Sequence, residues 1–184
     1  MKITEKDLKR ISKFMSLVLR HRPELIDIQP DENGWVAIPE FIEKVKTKLP
    51  DFDVNLMEEV VEKNDKKRFA FNDDKSKIRA SQGHSIKIDL DYKPATPPEF
   101  LYHGTVAKFL DNIKYEGLRK MKRHHVHLSK DEETAIKVGI RRGKPIILKI
   151  LASEMLKNNA TFYVSENGVW LTEKVPSAYI EFPE

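Results

Sequence analysis

The organisation of this chain is decided by residues 91–99, DYKPATPPE, a stretch with three prolines in nine positions. Proline fixes its own φ and disfavours helix in the residue before it, so this composition is typical of an extended connector. On both sides of the connector, apolar residues recur with the spacing of helices and strands. The sequence therefore predicts two folded lobes, residues 1–92 and residues 93–184.

The N-terminal lobe is predicted to contain helices followed by a β-hairpin. Pro23 ends the first helix, so Arg20 and His21 lie at the C-terminal end of that helix. Two runs of β-forming residues flank an Asn-Asp-Asp turn and indicate the hairpin. Helices followed by a two-stranded wing describe a winged-helix-like lobe. In chain order the predicted elements are a helix from Thr4 to Leu19, a strand at 35–38, a helix that Pro39 opens, a helix that Asn55 caps, and a hairpin of residues 68–71 and 77–80.

The C-terminal lobe is predicted to be a mixed α/β lobe with several short strands, so the chain belongs to the α+β class. Its strongest local signal is the turn dipeptide Asn167-Gly168 between two β-type runs. Residues 129–132 have the spacing of a capping box. In chain order the predicted elements are a strand at 100–102 with His103-Gly104-Thr105 as its turn, a helix that Gly117 closes, a strand at 126–128, a helix from Ser129 through Val138, a strand at 145–151, a hairpin of residues 161–165 and 169–173, and a strand at 178–182.

The composition of the 184 residues bounds the function classes. Apolar residues make up 40% and charged residues 34%, which predicts a folded, soluble protein. The formal net charge of +4 is small, so a nucleic-acid site would have to be a local patch. Because there is no cysteine, disulfides and thiolate zinc sites are excluded, and a reducing cytoplasm fits. We expect no membrane association, since no apolar run approaches the roughly 20 residues of a membrane span.

Arginine and histidine side chains lie at the ends of predicted elements in three segments. These are Arg20-His21 after the first helix, residues 79–84 after the hairpin, and residues 139–144 before a strand. A guanidinium matches a phosphate with two parallel hydrogen bonds, so the segments together favour a phosphate site. Each segment alone has a simpler interpretation, because basic groups also offset the dipole at a helix C-terminus. The sequence contains no P-loop, no Rossmann glycine motif and no Gly-x-Ser-x-Gly elbow.

Histidines in the C-terminal lobe mark a second candidate site. His103-Gly104-Thr105 follows a strand, where ligands often bind in α/β folds, and a buried structural histidine is the alternative. Residues 124–127, His-His-Val-His, invite a zinc interpretation. No carboxylate or thiolate with suitable spacing accompanies them, so we expect a polar pocket wall and no metal.

Five short segments follow one another along nearly the whole chain. They are residues 16–21 (SLVLRH), 78–85 (IRASQGHS), 102–105 (YHGT), 125–129 (HVHLS) and 138–145 (VGIRRGKP). Each segment alone is a weak signal, but in this order they resemble the RNA 2′-phosphotransferase family, also called tRNA 2′-phosphotransferases. The resemblance implies a winged-helix-like N-terminal lobe and an ADP-ribosyltransferase-like C-terminal lobe. It also implies NAD⁺ as a consumed co-substrate and an RNA that carries an internal 2′-phosphate.

The resemblance further implies roles for individual residues. By the family mechanism, the RNA 2′-phosphate attacks the ribose carbon that bears nicotinamide, and the ribose 2″-hydroxyl then releases the RNA. No metal is required. The implied catalytic set is Arg20, His21, Arg79 and Arg141, the last chosen over Arg142 because it lies two residues after Gly139. The implied NAD⁺ pocket is lined by His103, Gly104, Thr105, His127 and Ser129, and the implied substrate contacts are Gln82, His84, Arg142 and Lys144.

Two other functions stay open on the sequence. A non-catalytic winged-helix protein would bind nucleic acid in a salt-dependent manner and would not bind NAD⁺. An ADP-ribosyltransferase that caps nucleic-acid phosphates would consume NAD⁺ and keep the ADP-ribose on its product. The sequence does not identify the physiological RNA, for which a spliced tRNA is the leading candidate. We expect a cytoplasmic monomer.

Overall fold

The computed structural model describes residues 4–64 and 66–183, and the chain divides into two compact units. Unit 1 extends to Asp91 and unit 2 begins at Tyr92. Both units combine helices with small antiparallel sheets, so the chain has the predicted α+β class. None of the helices within the described ranges has both the length and the apolar character that crossing a membrane requires.

The described part of unit 1 contains three α-helices: α1 (Glu5–Arg20), α2 (Ile38–Lys46) and α3 (Val54–Glu62). The prediction for α1 is confirmed, with Thr4 as its N-cap and a reciprocal capping box with Asp7. The cap predicted for the third helix, Asn55, is wrong. Asp53 caps α3 instead, because its carboxylate accepts the backbone N–H of Leu56 at 2.8 Å.

A three-stranded antiparallel sheet with the order β1-β3-β2 completes unit 1. Its strands are β1 (Val36–Ala37), β2 (Phe69–Phe71) and β3 (Lys77–Ala80). The predicted hairpin is confirmed, since β2 and β3 pair directly. The strand predicted at 35–38 is shorter than expected, because Ile38 already begins α2. The largest fully buried side chains of this unit are Met15, Leu19, Phe41, Phe52, Met57 and Ile78.

The described part of unit 2 contains three α-helices and three small antiparallel sheets. The helices are α4 (Leu110–Glu116), α5 (Glu132–Gly139) and α6 (Ala152–Lys157). The strands are β4 (Phe100–Thr105), β5 (Leu118–Arg119), β6 (Val126–Leu128), β7 (Ile146–Leu151), β8 (Phe162–Val164), β9 (Trp170–Thr172), β10 (Lys174–Val175) and β11 (Ile180–Glu181). The sheets have the orders β11-β7-β4, β6-β9-β8 and β10-β5.

Unit 2 confirms some sequence predictions and corrects others. The hairpin around Asn167-Gly168 is confirmed as the antiparallel pair of β8 and β9. β4 continues through Thr105, so His103-Gly104-Thr105 lies inside a strand and is not a turn. Ser129 does not cap α5, because the Asp131 carboxylate accepts the backbone N–H of Thr134 at 2.7 Å. The sequence predicts neither α6 nor the short pair of β5 and β10.

α5 packs directly on β4 at a point where two glycines meet. A Cβ atom on Gly104 would overlap the carbonyl oxygen of Ala135, and one on Gly139 would lie 3.3 Å from the Cα of Gly104. The two glycines therefore let helix and strand backbones approach closely. The 3-10 turn Ile140–Arg142 follows α5 directly. The close contact of α5 with β4 therefore also sets the position of Arg141 and Arg142 relative to β4.

Candidate active site

The first candidate site lies in unit 1, where α1 ends beside β3. Arg20 is the last residue of α1 and His21 is its C-cap, with Pro23 close behind. Nη2 of Arg20 donates to the carbonyl oxygen of Arg68 at 3.2 Å, and the backbone N–H of Ser81 donates to the same oxygen at 2.9 Å. The Arg20 guanidinium is therefore held beside the end of β3.

The loop after β3 also holds His21. Its Nδ1 lies 2.9 Å from the hydroxyl oxygen of Ser85, and the backbone N–H of Ser85 donates to the carbonyl oxygen of Arg20 at 2.9 Å. The tautomer of the imidazole decides which partner donates in the first contact. Since Ser85 takes Nδ1, a substrate contact of this ring would be made by Nε2.

Arg79 lies on β3 opposite Trp35, because Val36 pairs with Ile78 in the antiparallel register. Its guanidinium carbon is 4.3 Å from the centroid of the Trp35 ring, and its Nη1 donates to the carbonyl oxygen of Asn33 at 3.4 Å. A cation over an indole face is attracted by the quadrupole of the ring. The turn that precedes β1 thus orients Arg79.

That turn is itself held by hydrogen bonds. One carboxylate oxygen of Asp31 accepts the backbone N–H groups of Asn33 and Trp35, at 3.1 and 2.9 Å. Gly34 has φ +82°, a conformation that side chains disfavour. Trp35 therefore projects from a defined backbone. Arg20 and His21 at the end of α1 and Arg79 on β3 are residue types that match phosphate oxygens, and each is held by contacts within unit 1.

Gln82 and His84, which are predicted to contact the substrate, follow β3 in the same loop. His84 is 1% exposed, and a Cβ on Gly34 would lie 3.7 Å from its Nε2, so the ring lies inside unit 1. Gln82 is half-buried. Of the two side chains, Gln82 is the more accessible.

The second candidate site is a cavity of about 620 Å³ in unit 2, a volume in the range of small-molecule pockets. His103, Thr105 and His127, three of the residues predicted to bind NAD⁺, line this cavity. Gly104 accommodates α5, as described above. Ser129 exchanges backbone hydrogen bonds with Tyr102, at 2.7 and 2.9 Å.

His103 is oriented by the backbone of β6. Its Nδ1 lies 3.0 Å from the carbonyl oxygen of His127, so Nδ1 carries the hydrogen that is donated. Burial lowers the pKa of His103, the hydrogen bond to His127 partly opposes this, and the charges of Arg142 and Arg123 lower the pKa further. The imidazole is therefore neutral at pH 7, with Nε2 as a hydrogen-bond acceptor.

Three arginines line the cavity: Arg119, which is bonded to Glu116, and Arg123 and Arg142. The sequence predicts Arg142 as a substrate contact and assigns no role to Arg123. The basic run at 119–123, which ends two residues before β6, is the signal that could have identified Arg123. Arg123 and Arg142 are exposed, as are Arg141 and Lys144, the other predicted site residues of this region.

The histidines of residues 124–127 do not assemble a metal site with other side chains. His125 packs its ring against Tyr163, with 5.4 Å between ring centroids. Residues 4–64 and 66–183 contain no group of three or more His, Asp or Glu side chains placed to hold a metal ion. His127 contributes to the wall of the cavity instead.

Comparison with known proteins places these features in one family. The sequence profile of the family described as "RNA 2′-phosphotransferase, Tpt1 / KptA family" matches residues 6–174, a range that includes all five segments. A protein of Flavobacterium johnsoniae named "Probable RNA 2′-phosphotransferase" is 57% identical over 180 residues, which cover 98% of this chain and 99% of its own. Proteins of the same name from Fusobacterium nucleatum and Streptomyces coelicolor are 52% and 51% identical over 174 residues. These alignments cover 94% and 95% of this chain, and 97% and 94% of the two relatives.

Proposed function

Since the chain belongs to the RNA 2′-phosphotransferase family, we propose that it removes an internal 2′-phosphate from RNA by transferring it to NAD⁺. The products are RNA with a free 2′-hydroxyl, nicotinamide and ADP-ribose 1″,2″-cyclic phosphate. The observation that carries this proposal is that Arg20 and His21 at the end of α1, and Arg79 on β3, are each held in place by contacts within unit 1. A spliced tRNA is the leading candidate for the RNA, and the cytoplasm stays the predicted location.

The phosphate needs no general base for the first step. Its second pKa is about 6, so at pH 7 it carries nearly two negative charges and a nucleophilic oxygen. That oxygen forms a bond to the ribose carbon that bears nicotinamide, and nicotinamide leaves with the electron pair of the broken bond. The protein has to hold the phosphate with one oxygen exposed. We assign this role to Arg20, Arg79 and Arg141, whose guanidiniums match phosphate oxygens in pairs.

His21 is assigned to the second step. The ribose 2″-hydroxyl attacks phosphorus and loses its proton, and the RNA 2′-oxygen leaves and takes up a proton. Nε2 of His21 is suited to donate that proton, because Nδ1 contacts Ser85. The arginines stabilise the charge that spreads over the phosphoryl oxygens. None of the steps uses a metal.

The cavity of unit 2 is proposed as the NAD⁺ pocket. Its volume suits a small molecule, and its wall carries His103, Thr105 and His127. We also propose that unit 1 is the winged-helix-like lobe, which the three helices and the β2–β3 hairpin support. Unit 2 is then the ADP-ribosyltransferase-like lobe, which its small antiparallel sheets beside a nucleotide-sized cavity support.

The proposal is tested with a short RNA that carries one internal 2′-phosphate. The full chain is incubated with this RNA, with and without NAD⁺, and both RNA and small molecules are analysed by mass spectrometry. Loss of one phosphate only with NAD⁺, together with the cyclic phosphate product, supports the proposal. An unchanged RNA with intact NAD⁺ contradicts it, and a heavier RNA that keeps ADP-ribose favours the capping alternative.

The assignment of His21 is tested with the same assay. His21→Ala should accumulate ADP-ribosylated RNA, because the first step proceeds and the leaving oxygen of the second step lacks its proton donor. An equal loss of both steps, with no intermediate, would show that His21 does not act as assigned. The same RNA without the 2′-phosphate serves as the control substrate.

A further inference from the structure

Besides Arg119, which is bonded to Glu116, two arginines line the same cavity from separate segments of unit 2. Arg123 precedes β6, and Arg142 ends the 3-10 turn after α5. Nη1 of Arg123 lies 3.3 Å from Nδ1 of His127, and the guanidinium carbon of Arg142 lies 5.8 Å from the centroid of the Phe109 ring. Each arginine is therefore placed by a ring that belongs to the same wall.

Neither guanidinium is neutralised by a neighbouring acid. Over residues 4–64 and 66–183, no carboxylate forms an ion pair with Arg123 or Arg142. Glu116, an acidic residue of the same wall, is bonded to Arg119 at 3.0 Å. Arg123 is exposed by surface area, but desolvation by the surrounding protein lowers its pKa, and the charge of Arg142 lowers it further. A bound anion would relieve this repulsion.

The remaining wall suits the uncharged parts of a nucleotide. Ile113, Leu118 and Val126 are buried apolar residues that line the cavity together with Phe109. The volume of about 620 Å³ is in the range of pockets for small molecules. Apolar walls and two uncompensated guanidiniums fit a small molecule that carries two adjacent phosphates.

We propose that Arg123 and Arg142 bind the diphosphate of a nucleoside diphosphate group in this cavity. The inference rests on the proposed function, in which this diphosphate belongs to NAD⁺. It assigns Arg142 to the dinucleotide and not to the RNA, and it assigns a binding role to Arg123. Arg141 is left for the 2′-phosphate.

The test measures the binding of ADP and of adenosine to the full chain by isothermal titration calorimetry. Wild-type protein should bind ADP more tightly than adenosine. Arg123→Gln and Arg142→Gln should each weaken ADP binding by about tenfold or more, the loss expected for a charge-assisted contact, and leave adenosine binding unchanged. Lys130→Gln removes an exposed positive charge elsewhere in the same unit and should leave ADP binding unchanged. Arg123→Lys keeps the charge without the planar fork and should restore part of the affinity.

Three outcomes would overturn the inference. These are equal wild-type affinity for ADP and adenosine, unchanged ADP affinity in both glutamine variants, and an Arg142→Gln variant that loses affinity for 2′-phosphorylated RNA but not for ADP. The RNA assay separates this failure from that of the proposed function. If both variants remove the phosphate in an NAD⁺-dependent reaction with an unchanged KM for NAD⁺, only the diphosphate site is refuted. If the wild-type protein does not use NAD⁺, the proposed function is refuted.

Discussion

Replacing Trp35 by leucine removes the ring that orients Arg79 and should slow the reaction while unit 1 stays folded. A cation–π contact contributes about 0.5–1 kcal/mol when exposed and about 2 kcal/mol when desolvated. Both side chains are half-buried and the guanidinium carbon is 4.3 Å from the ring centroid, so a value between these limits applies. The contact of Arg79 with Asn33 is long, at 3.4 Å, and is weaker than a hydrogen bond of usual length. A loss of about 1–2 kcal/mol corresponds to a decrease in kcat of about fivefold to thirtyfold.

The assay is single-turnover removal of the 2′-phosphate at saturating NAD⁺. Trp35→Phe is the matched control, because it keeps an aromatic face opposite Arg79 and should retain most of the activity. Thermal unfolding of both variants shows whether the fold has changed. A decrease in rate for Trp35→Leu with an unchanged KM for NAD⁺ would locate the effect at the proposed phosphate site of unit 1, since the cavity belongs to unit 2.

A double-mutant cycle decides whether Trp35 acts through Arg79. In an Arg79→Ala background, Trp35→Leu should cause no further decrease in rate, because there is no guanidinium left to orient. If the two substitutions have additive effects, Trp35 supports the fold of unit 1 by another route and the positioning argument is refuted.

Two other substitutions examine unit 2. Gly104→Ala should destabilise the protein by about 1–3 kcal/mol, because the added Cβ overlaps backbone and no side chain can move aside. In Gly139→Ala the added Cβ lies 3.0 Å from the Cβ of Pro145, so the free energy of unfolding should decrease less than in Gly104→Ala. Equal free energies of unfolding for the two variants would contradict this packing. The folded-state pKa of His103 is lowered, so below about pH 6.5 the unfolded chain takes up a proton that the folded chain does not, and stability falls as the pH falls. His103→Gln should make the decrease in unfolding free energy between about pH 7.5 and pH 5.5 shallower, and an unchanged slope would show that His103 is not its source.

Local pattern was sufficient for the parts of the fold that depend on near neighbours. The spacing of apolar residues and Pro23 predict α1 and its end, and Asn167-Gly168 predicts the β8–β9 hairpin. The predictions fail where a competing neighbour, or a residue distant in the chain, determines the cap or the strand pairing. Asp53 competes successfully with Asn55 for the cap of α3, because its carboxylate reaches the N–H of Leu56.

Distant pairing explains the remaining differences. Residues 103–105 stay in β4 because each pairs with a residue of β7, between 41 and 45 positions later in the chain. The two-residue strands β5 and β10 are too short to show a periodic pattern, and only their mutual pairing defines them. Arg123 went unrecognised for the same reason, since its place in a cavity depends on α4, β4 and β6 together.

The adjacent arginines Arg141 and Arg142, to which the family resemblance gives different roles, also differ in direction along the backbone. Both lie in the 3-10 turn Ile140–Arg142, where three residues make one turn and successive side chains point about 120° apart. Because Arg142 lines the cavity over Phe109, its neighbour points in another direction. Two anions take part in the proposed reaction, the 2′-phosphate of the RNA and the diphosphate of the dinucleotide. Two neighbouring arginines that point in different directions can each bind one of these anions. A single arginine could bind only one, and arginines on one face of a helix would point toward the same anion.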